Sequence, residues 1–333
     1  MLTRRSYVDI IYNNVSITED IKDSLLSFTY EDYASGYADN ISIALHNKSK
    51  KWLEEWTPEQ GAYIVADINT KNWTQDNENK KLSCGSFFID QIDYAGRPLT
   101  CNIGALALKL STSFREVKRS KAWQGITLKE LATVIAKQNG LHLVFDTSTN
   151  IRLESLKQSD LSDLEFITEI CNKYGYALKI YNGKIVIYRE NEYETKQECH
   201  IIKEEDVLSW SGSRSLSNTA YDGCMIEYTD QLTGKKLQYT YNPTGGSKIL
   251  KISEAVNSIE EAEYLTKATL RNTNKAQSVI SLNMMGNTQM TSASIIKIVG
   301  FGILDGKYFI DKISHNLPDY KLSLEAHHVL EGY

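Results

Sequence analysis

The residues in this sequence that could carry chemistry are few and widely separated. Two adjacent histidines, His327 and His328, come nearest to a metal-binding pair. Their surroundings predict a β-strand, and neighbouring residues on a strand point to opposite faces of a sheet, so one metal site can hardly use both side chains. A structural role for both histidines is therefore the favoured interpretation.

An acidic cluster near the N-terminus suggests a second kind of chemistry. Paired carboxylates act as general acid and as nucleophile or base in glycosidases. No sequence pattern around the cluster predicts a cleft, so we interpret it as an acidic rim exposed to solvent. Its members are Asp20, Asp23, Glu31 and Asp32.

One basic run suggests binding rather than catalysis. It comprises Arg115, Lys118, Arg119 and Lys121, and no aromatic residue is interleaved before Trp123. The chain has 37 Lys and Arg against 42 Asp and Glu, a net charge of −5, so bulk attraction to nucleic acid or to an anionic membrane is not predicted. We interpret the run as a solvated linker or a contact with another protein.

Motifs of the common enzyme classes do not occur. There is no G-x-S-x-G, H-E-x-x-H or Walker sequence, and the spacing of Gly300, Gly302 and Gly306 does not fit a dinucleotide-binding turn. The 5 cysteines are widely spread without a C-x-x-C pair, which favours buried reduced thiols over disulfides or a zinc site. We therefore expect no enzymatic activity, no cofactor and no metal site.

The sequence contains neither a recognisable signal peptide nor an apolar run of membrane-spanning length. We therefore expect synthesis in the cytosol and no membrane anchor.

A stretch that occurs twice indicates how the chain is organised. Residues 87–105 (FFIDQIDYAGRPLTCNIGA) and 308–326 (YFIDKISHNLPDYKLSLEA) align without a gap, and each has a β-rich run, a turn containing proline and a second alternating run. This pattern predicts the same hairpin at both ends of the chain. Asp90 and Asp311 occupy equivalent positions in the two copies. They are either a contact with a ring partner that is made twice or exposed strand residues kept from a common ancestor, and both interpretations stay open.

The first end region has the pattern of half-buried strands. Ile41, Ile43 and Leu45 alternate with small or polar residues, which gives a strand one apolar face. We predict an antiparallel β-domain over residues 1–110, and closure into a barrel is one way to remove its exposed edges.

The middle of the chain carries two similar helix signals. Thr127 with Glu130, and Ser162 with Glu165, form capping boxes before apolar stripes of helical period. Alternating strands follow each helix, after a glycine suited to its C-terminal end. Residues 111–190 are therefore predicted to form a compact α+β domain.

The remaining residues, 191–333, return to a β-rich pattern. Residues 191–217 are polar and predict a connector, which precedes a hairpin with its tip at Thr233-Gly234 and a helix capped by Ser258 and Glu261. The predicted fold class is thus α+β but mainly β, with two similar β-domains flanking the small α+β domain.

Five segments in chain order carry a family resemblance. They are YEDYASGYADNISIALHN, GSFFIDQIDYAG, TLKELATVIAKQNGL, SDLEFITEICNKYGYALKIYNGKIVIY and VGFGILDGKYFIDKISH. Together they resemble the phage late control gene D protein family, whose members form the baseplate hubs of contractile tails and of tailocins. The chain is also similar, more distantly, to the N-terminal part of type VI secretion spike proteins.

The resemblance implies a fold with two tail-tube-like antiparallel β-barrels and the small α+β domain between them. It further implies a homotrimer in which six barrels surround a channel. The implied partners are a tail tube or tube-initiator protein and a trimeric spike protein, and DNA could pass through the channel without specific binding. The implied location is the baseplate of a virion or tailocin, after assembly in the bacterial cytoplasm.

Two alternatives from other classes remain. The middle domain and the tail setting suggest a cell-wall-binding or peptidoglycan-degrading module. A barrel with a cleft suggests an enzyme that binds a small molecule.

Overall fold

The computed structural model describes residues 2–107, 113–229, 234, 236–256 and 258–330. Strands predominate over helices in this part of the chain, as the mainly β prediction requires. The predicted domain boundary between residues 110 and 111 and the hairpin-tip residue Thr233 lie outside the described residues. In the described part of the chain, none of the helices has both the length and the apolar character needed to cross a bilayer.

The first end region consists almost entirely of strands. In chain order its elements are β1 (Arg5–Tyr12), β2 (Val15–Ser16), α1 (Thr18–Ile21), β3 (Leu25–Tyr33), β4 (Asn40–His46), β5 (Tyr63–Lys71), β6 (Asn79–Ala95) and β7 (Thr100–Leu106). In β4, Ile41, Ile43 and Leu45 are buried as their alternation predicts.

The middle region has the predicted helix-strand pairs, and an additional strand precedes each helix. Its elements are β8 (Arg119–Thr127), α2 (Leu128–Gln138), β9 (His142–Asp146), β10 (Arg152–Leu161), α3 (Asp163–Lys173), β11 (Ala177–Tyr181) and β12 (Lys184–Tyr188). Both capping boxes are present, with Thr127 and Ser162 as N-caps. Gly140 and Gly175, which follow the two helices, have φ of +67° and +75°, the left-handed conformation that stops a helix.

The last region contains the second hairpin copy and one long helix. Its elements are α4 (Glu190–Glu194), β13 (His200–Lys203), β14 (Val207–Arg214), β15 (Gly223–Thr229), β16 (Lys236–Tyr241), β17 (Ile249–Ile252), α5 (Ile259–Asn274), β18 (Ser278–Met285), β19 (Ile295–Val299), β20 (Gly306–Leu317) and β21 (Lys321–His328). Ser258 caps α5 by accepting a hydrogen bond from the backbone of Glu261, and the Glu261 carboxylate accepts one from Tyr174, the residue that follows α3.

The expectation of a connector over residues 191–217 is wrong. This segment forms part of α4, then β13 and β14, and both strands pair within the large sheet. Polar composition without alternation predicts a connector. β14 has this composition because nearly all of its residues are exposed on both faces.

Thirteen strands of the described chain form one sheet, and two sets of five within it have the same arrangement. The first unit has the order β5-β6-β7-β4-β3, and the second unit has the order β19-β20-β21-β18-β14. Every neighbouring pair inside each unit is antiparallel. Equivalent strands of the two units therefore follow one another in the same order along the chain. Within the described residues, these pairings leave both units open rather than closed as barrels.

The two units meet where β3 pairs antiparallel with the second half of β20, a contact that we call the seam. Apolar side chains of both units, such as Ile43 and Leu324, belong to a single hydrophobic cluster. The middle region has its own cluster around α2 and α3. A separate three-stranded sheet, β16-β15-β17, packs on α5 through Ile226 and Leu265.

Candidate interaction site

The two aspartates identified by the repeat occupy the same backbone feature. Asp90 lies between two β6 residues whose partners, residues 104 and 105, are adjacent in β7. Asp311 lies between two β20 residues whose partners, residues 325 and 326, are adjacent in β21. Each aspartate is therefore the extra residue of a β-bulge, a feature that re-aims side chains and ends regular pairing. The two hairpins share both their register and the position of this bulge.

The side chain of Asp311 belongs to a network of charged groups. Both of its carboxylate oxygens lie 2.8 Å from Nδ1 of His327, and Nε2 of His327 lies 3.0 Å from a carboxylate oxygen of Glu194. Arg271 of α5 makes an ion pair with the same Glu194 carboxylate. His327, Glu194 and Arg271 are buried, whereas the Asp311 side chain is 41% exposed, so the network joins β20, β21, α4 and α5 and reaches the surface at Asp311.

The protonation of His327 reflects these neighbours. Burial by itself lowers the pKa of the imidazole, but hydrogen bonds to Asp311 and Glu194 outweigh burial and raise the pKa to about 8. Lys275 lies close enough to oppose this increase, and it pairs with the buried carboxylate of Glu190. His327 therefore carries a positive charge at neutral pH and acts as a cation in the network.

The side chain of Asp90 has different surroundings. The position equivalent to His327 in the first unit is Leu106, which cannot donate a hydrogen bond to a carboxylate. The contact made by Asp90 in the described chain is through its backbone, whose carbonyl accepts a hydrogen bond from the Gln60 amide at 3.3 Å. The two aspartates thus share a backbone position but differ in their side-chain partners.

A second buried ion cluster fixes the middle region against the seam strand. Lys179 of β11 pairs with Asp32 of β3, and its ammonium lies 3.2 Å from the carboxylate of Asp39. The Asp32 carboxylate also accepts hydrogen bonds from the Ser292 backbone at 2.8 Å and the Ser292 hydroxyl at 2.6 Å. Groups from three separate parts of the chain therefore meet at one buried lysine.

Burial dominates the electrostatics of this cluster. Removal from water raises the pKa of Asp39 to about 7, because the attraction of Lys179 only partly offsets burial and the repulsion of Asp32. Burial lowers the pKa of Lys179, but the two carboxylates outweigh that effect and raise it. Lys179 thus stays charged while Asp39 is poised to bind a proton near neutral pH.

The predicted acidic rim is only partly correct. Asp20 and Asp23 are exposed, as expected of a solvated rim. Glu31 instead pairs with Lys312 across the seam at 2.8 Å, and Asp32 is buried beside Lys179. These two residues lie on a strand in the middle of a large sheet, where neighbours distant in sequence cover them.

The fold also places the two adjacent histidines in different surroundings, and it does the same for the residues of the basic run. His327 faces the buried network, whereas His328 packs edge-on against Tyr308. The two side chains therefore point to opposite faces of the strand, as predicted. In the basic run, Arg119 pairs with Asp163 at 3.4 Å and Lys121 lies over the ring of Trp123. Arg115 and Lys118 are exposed.

Four cysteines are buried and Cys199 is exposed, and all are unpaired by disulfides. In the described part of the chain, no group of three or more His, Cys, Asp or Glu is arranged to hold a metal ion.

Most residues of the two ion clusters cannot be identified from local sequence patterns. Lys179 alternates with Leu178 and Ile180 in β11 and so lies on the opposite face of the strand, where no neighbouring residue in the sequence indicates its carboxylate partners. Glu194 and Arg271 have no local signal, because their partners are 133 and 77 residues away in the chain.

The fold as a whole is that of phage tail proteins. The 43 kDa tail protein of prophage MuSo2 from Shewanella oneidensis matches 97% of this chain and 98% of its own length with a TM-score of 0.71, at 13% sequence identity. The Escherichia coli c3393 protein, a component of the type VI secretion system, matches 93% of this chain and 75% of its own length with a TM-score of 0.58, at 12% identity. At these identities the likeness establishes the fold alone.

Sequence comparison leads to the same class of protein. The probable baseplate hub protein of Escherichia phage 186 is 28% identical over 178 residues, which are 53% of this chain and 43% of that protein. The match confirms the resemblance to phage baseplate hub proteins, and this chain spans less than half the length of that relative. No family model matches the sequence.

Proposed function

We propose that this protein is a structural baseplate hub of a contractile tail or related injection particle. Three copies would form a ring that joins a six-fold tail tube to a three-fold spike. The observation that carries this proposal is the pair of equivalent five-strand units in each chain. Two units per chain and three chains give six equivalent units, so the ring can offer six-fold symmetry to a tube and three-fold symmetry to a spike.

Each unit corresponds in this proposal to one tail-tube-like barrel. In the second unit, β13 pairs with β19 and β14 pairs with β18, so a single short connection links the two opposite sides of the unit. Such a connection requires the sheet to curl. Curling supports a barrel in the assembled ring, where a neighbouring chain can supply the remaining edge contacts.

The role proposed is mechanical rather than catalytic. Contraction of an outer sheath would drive the tube, hub and spike together into a target envelope, so the hub must transmit load between its domains. The buried clusters at Lys179 and Glu194 suit this role, because each ties the sheet to a neighbouring domain or helix. Separating the parts would break these charge-assisted hydrogen bonds together with the packing around them, and this combined cost resists the separation.

The proposed location is the baseplate of the particle, after assembly in the bacterial cytoplasm. The proposed partners are a tail tube or tube-initiator protein on one face and a trimeric spike on the other. Three chains of net charge −5 would carry −15 together. We expect a neutral to acidic channel wall, along which DNA can slide without binding specifically, because basic contacts to phosphates would hold it.

The test is the mass and shape of the assembled protein. One chain has a mass of 37.8 kDa, so a ring of three has about 113 kDa (three times 37.8), which light scattering separates from a monomer. Electron microscopy of the protein mixed with its tube and spike partners should show one ring at the junction. A monomer under all of these conditions, or clearing of peptidoglycan suspensions by the purified protein, would overturn the proposal.

A further inference from the structure

The seam gives a complete example of how two units join. β3 lies at one edge of the first unit, at the end of its sheet order. It pairs antiparallel with residues 312–317 of β20, beyond the bulge at Asp311. His315 lies opposite Tyr30, their rings stack at 5.8 Å between centroids, and both are buried. On the other face, the hydroxyl of Thr29 donates a hydrogen bond to the side chain of Asn316 at 3.0 Å.

The strand equivalent to β3 in the second unit is β14, which we call the donor edge. Both strands have a bulge near their start, at Leu26 in β3 and at Leu208 in β14. Counting from these bulges, Gly212 is equivalent to Tyr30. In the described chain β14 pairs with β18 alone, so its other edge has free backbone donors and acceptors.

The segment equivalent to residues 312–317 of β20 is residues 91–96, which comprise the end of β6 and the residue after it and which we call the acceptor edge. Counting from the bulges at Asp90 and Asp311, Tyr94 is equivalent to His315. In the described chain β6 pairs with β5 only as far as Phe88, so beyond the bulge its side facing away from β7 is open. One chain therefore contains one paired seam, together with an unpaired donor edge and an unpaired acceptor edge that are equivalent to its two sides.

We propose that the donor edge of one copy pairs antiparallel with the acceptor edge of the next copy, in the register of the seam. Gly212 would lie opposite Tyr94, Ser211 opposite Ala95, and Ser213 opposite Asp93. This inference rests on the proposed ring and identifies its contacts between subunits. The occupant is a second copy of this chain, because the seam shows that these two strand types fit one another.

Side-chain exposure supports a missing neighbour at both edges. Tyr94 is 39% exposed, whereas its equivalent His315 is 0% exposed. On the donor edge, Trp210 is 41% exposed, whereas its equivalent Phe28 is 0% exposed. The unpaired backbone groups of such edges are a template for strand pairing, and exposed aromatic side chains beside them mark a surface that a partner covers.

The geometry of the contact leads to a ring. The donor and acceptor edges are different surfaces of one chain, so the contact is head-to-tail and each copy uses each edge once. Repeating the seam relation between chains places all units in one continuous series. Closure after three copies then gives the number of units that the proposed hub requires.

The test uses disulfides between four exposed positions in a Cys199→Ser background. The double variants Ala95→Cys/Ser211→Cys and Asp93→Cys/Ser213→Cys place thiols directly opposite one another in the proposed register, where Cβ atoms are about 4.5–5.5 Å apart. The recombined variants Ala95→Cys/Ser213→Cys and Asp93→Cys/Ser211→Cys use the same positions on the diagonals, about 7–8 Å apart, which is too far for a disulfide. All four are oxidised as full-length protein over a concentration series, and their masses are measured by light scattering.

We expect covalent dimers and trimers on denaturing gels from the first two variants and several-fold less from the recombined two. A trimer by mass that gives no cross-link, or gives it equally in all four variants, would overturn the strand pairing and leave the hub proposal standing. A monomer at every concentration would overturn the ring and the pairing together.

Discussion

The seam and the two open edges have equivalent backbones but different side chains. At the seam, Asp32 is buried in an ion cluster and His315 stacks on Tyr30. Counting from the bulges, the corresponding open-edge positions are Arg214 and Tyr94, and both side chains are exposed. The duplication has thus kept the strand geometry and changed the residues on it. The difference identifies which edges are covered inside one chain and predicts that substitutions at the two places will affect different properties.

The largest expected effect comes from Lys179 of β11, which pairs with the seam strand β3. Lys179→Met removes the cation between Asp32 and Asp39 and leaves the buried Asp32 carboxylate uncompensated, so the free energy of unfolding should fall by about 3–5 kcal/mol. Urea denaturation followed by tryptophan fluorescence measures this change. The matched control is Lys203→Met, which breaks an exposed pair with Glu205 and should cost less than about 1 kcal/mol. Similar losses in the two variants would show that the cluster does not stabilise the fold.

A pair of equivalent substitutions compares the seam with the open edge directly. His315→Ala should lower the free energy of unfolding by about 3 kcal/mol, because it leaves a cavity between two aromatic rings. Tyr94→Ala should change the unfolding of the monomer by no more than about 0.5 kcal/mol, as for other surface substitutions. Tyr94→Ala should instead weaken assembly, so that in sedimentation experiments the trimer dissociates at a higher protein concentration. Equal loss of monomer stability in both would contradict the difference between the two regions.

The next effect, of intermediate size, depends on pH and distinguishes the two hairpins. The pKa of His327 is raised from 6.5 to about 8 in the folded protein, so the folded state binds this proton more tightly than the unfolded state. The associated stability, on the order of 2 kcal/mol, is complete below pH 6.5 and is lost as the pH rises through about 8. Urea denaturation between pH 6 and 9 measures this decline. His327→Leu copies Leu106 of the first hairpin and should flatten this part of the profile. An unchanged slope in this variant would assign the dependence to another group.

The parts of this fold that the sequence predicts are those set by local contacts. The capping boxes at Thr127 and Ser162 depend on residues three positions apart, and the repeated hairpin depends on a turn between adjacent strands. The seam joins strands almost 290 residues apart, at Phe28 and Leu317, and no local pattern encodes that pairing. The sequence does not predict β14 for a related reason, since an edge strand without its neighbour lacks the alternation that burial imposes.

The smallest expected effect compares the two bulge aspartates. Asp311→Asn removes the charged acceptor for His327 and should cost about 1–2 kcal/mol. Asp90→Asn, whose side chain has no such donor among the described residues, should change the free energy of unfolding by less than about 0.5 kcal/mol. Thermal unfolding at neutral pH measures both.

Because Asp311 helps to raise the pKa of His327, the imidazole resonance in the Asp311→Asn protein should titrate at lower pH in NMR spectra, and it should not move in the Asp90→Asn protein. If Asp90→Asn leaves the monomer unchanged but weakens the trimer, the first hairpin uses its bulge for a neighbouring subunit. A loss of monomer stability as large as that of Asp311→Asn would show instead that both bulges are fixed from within the chain.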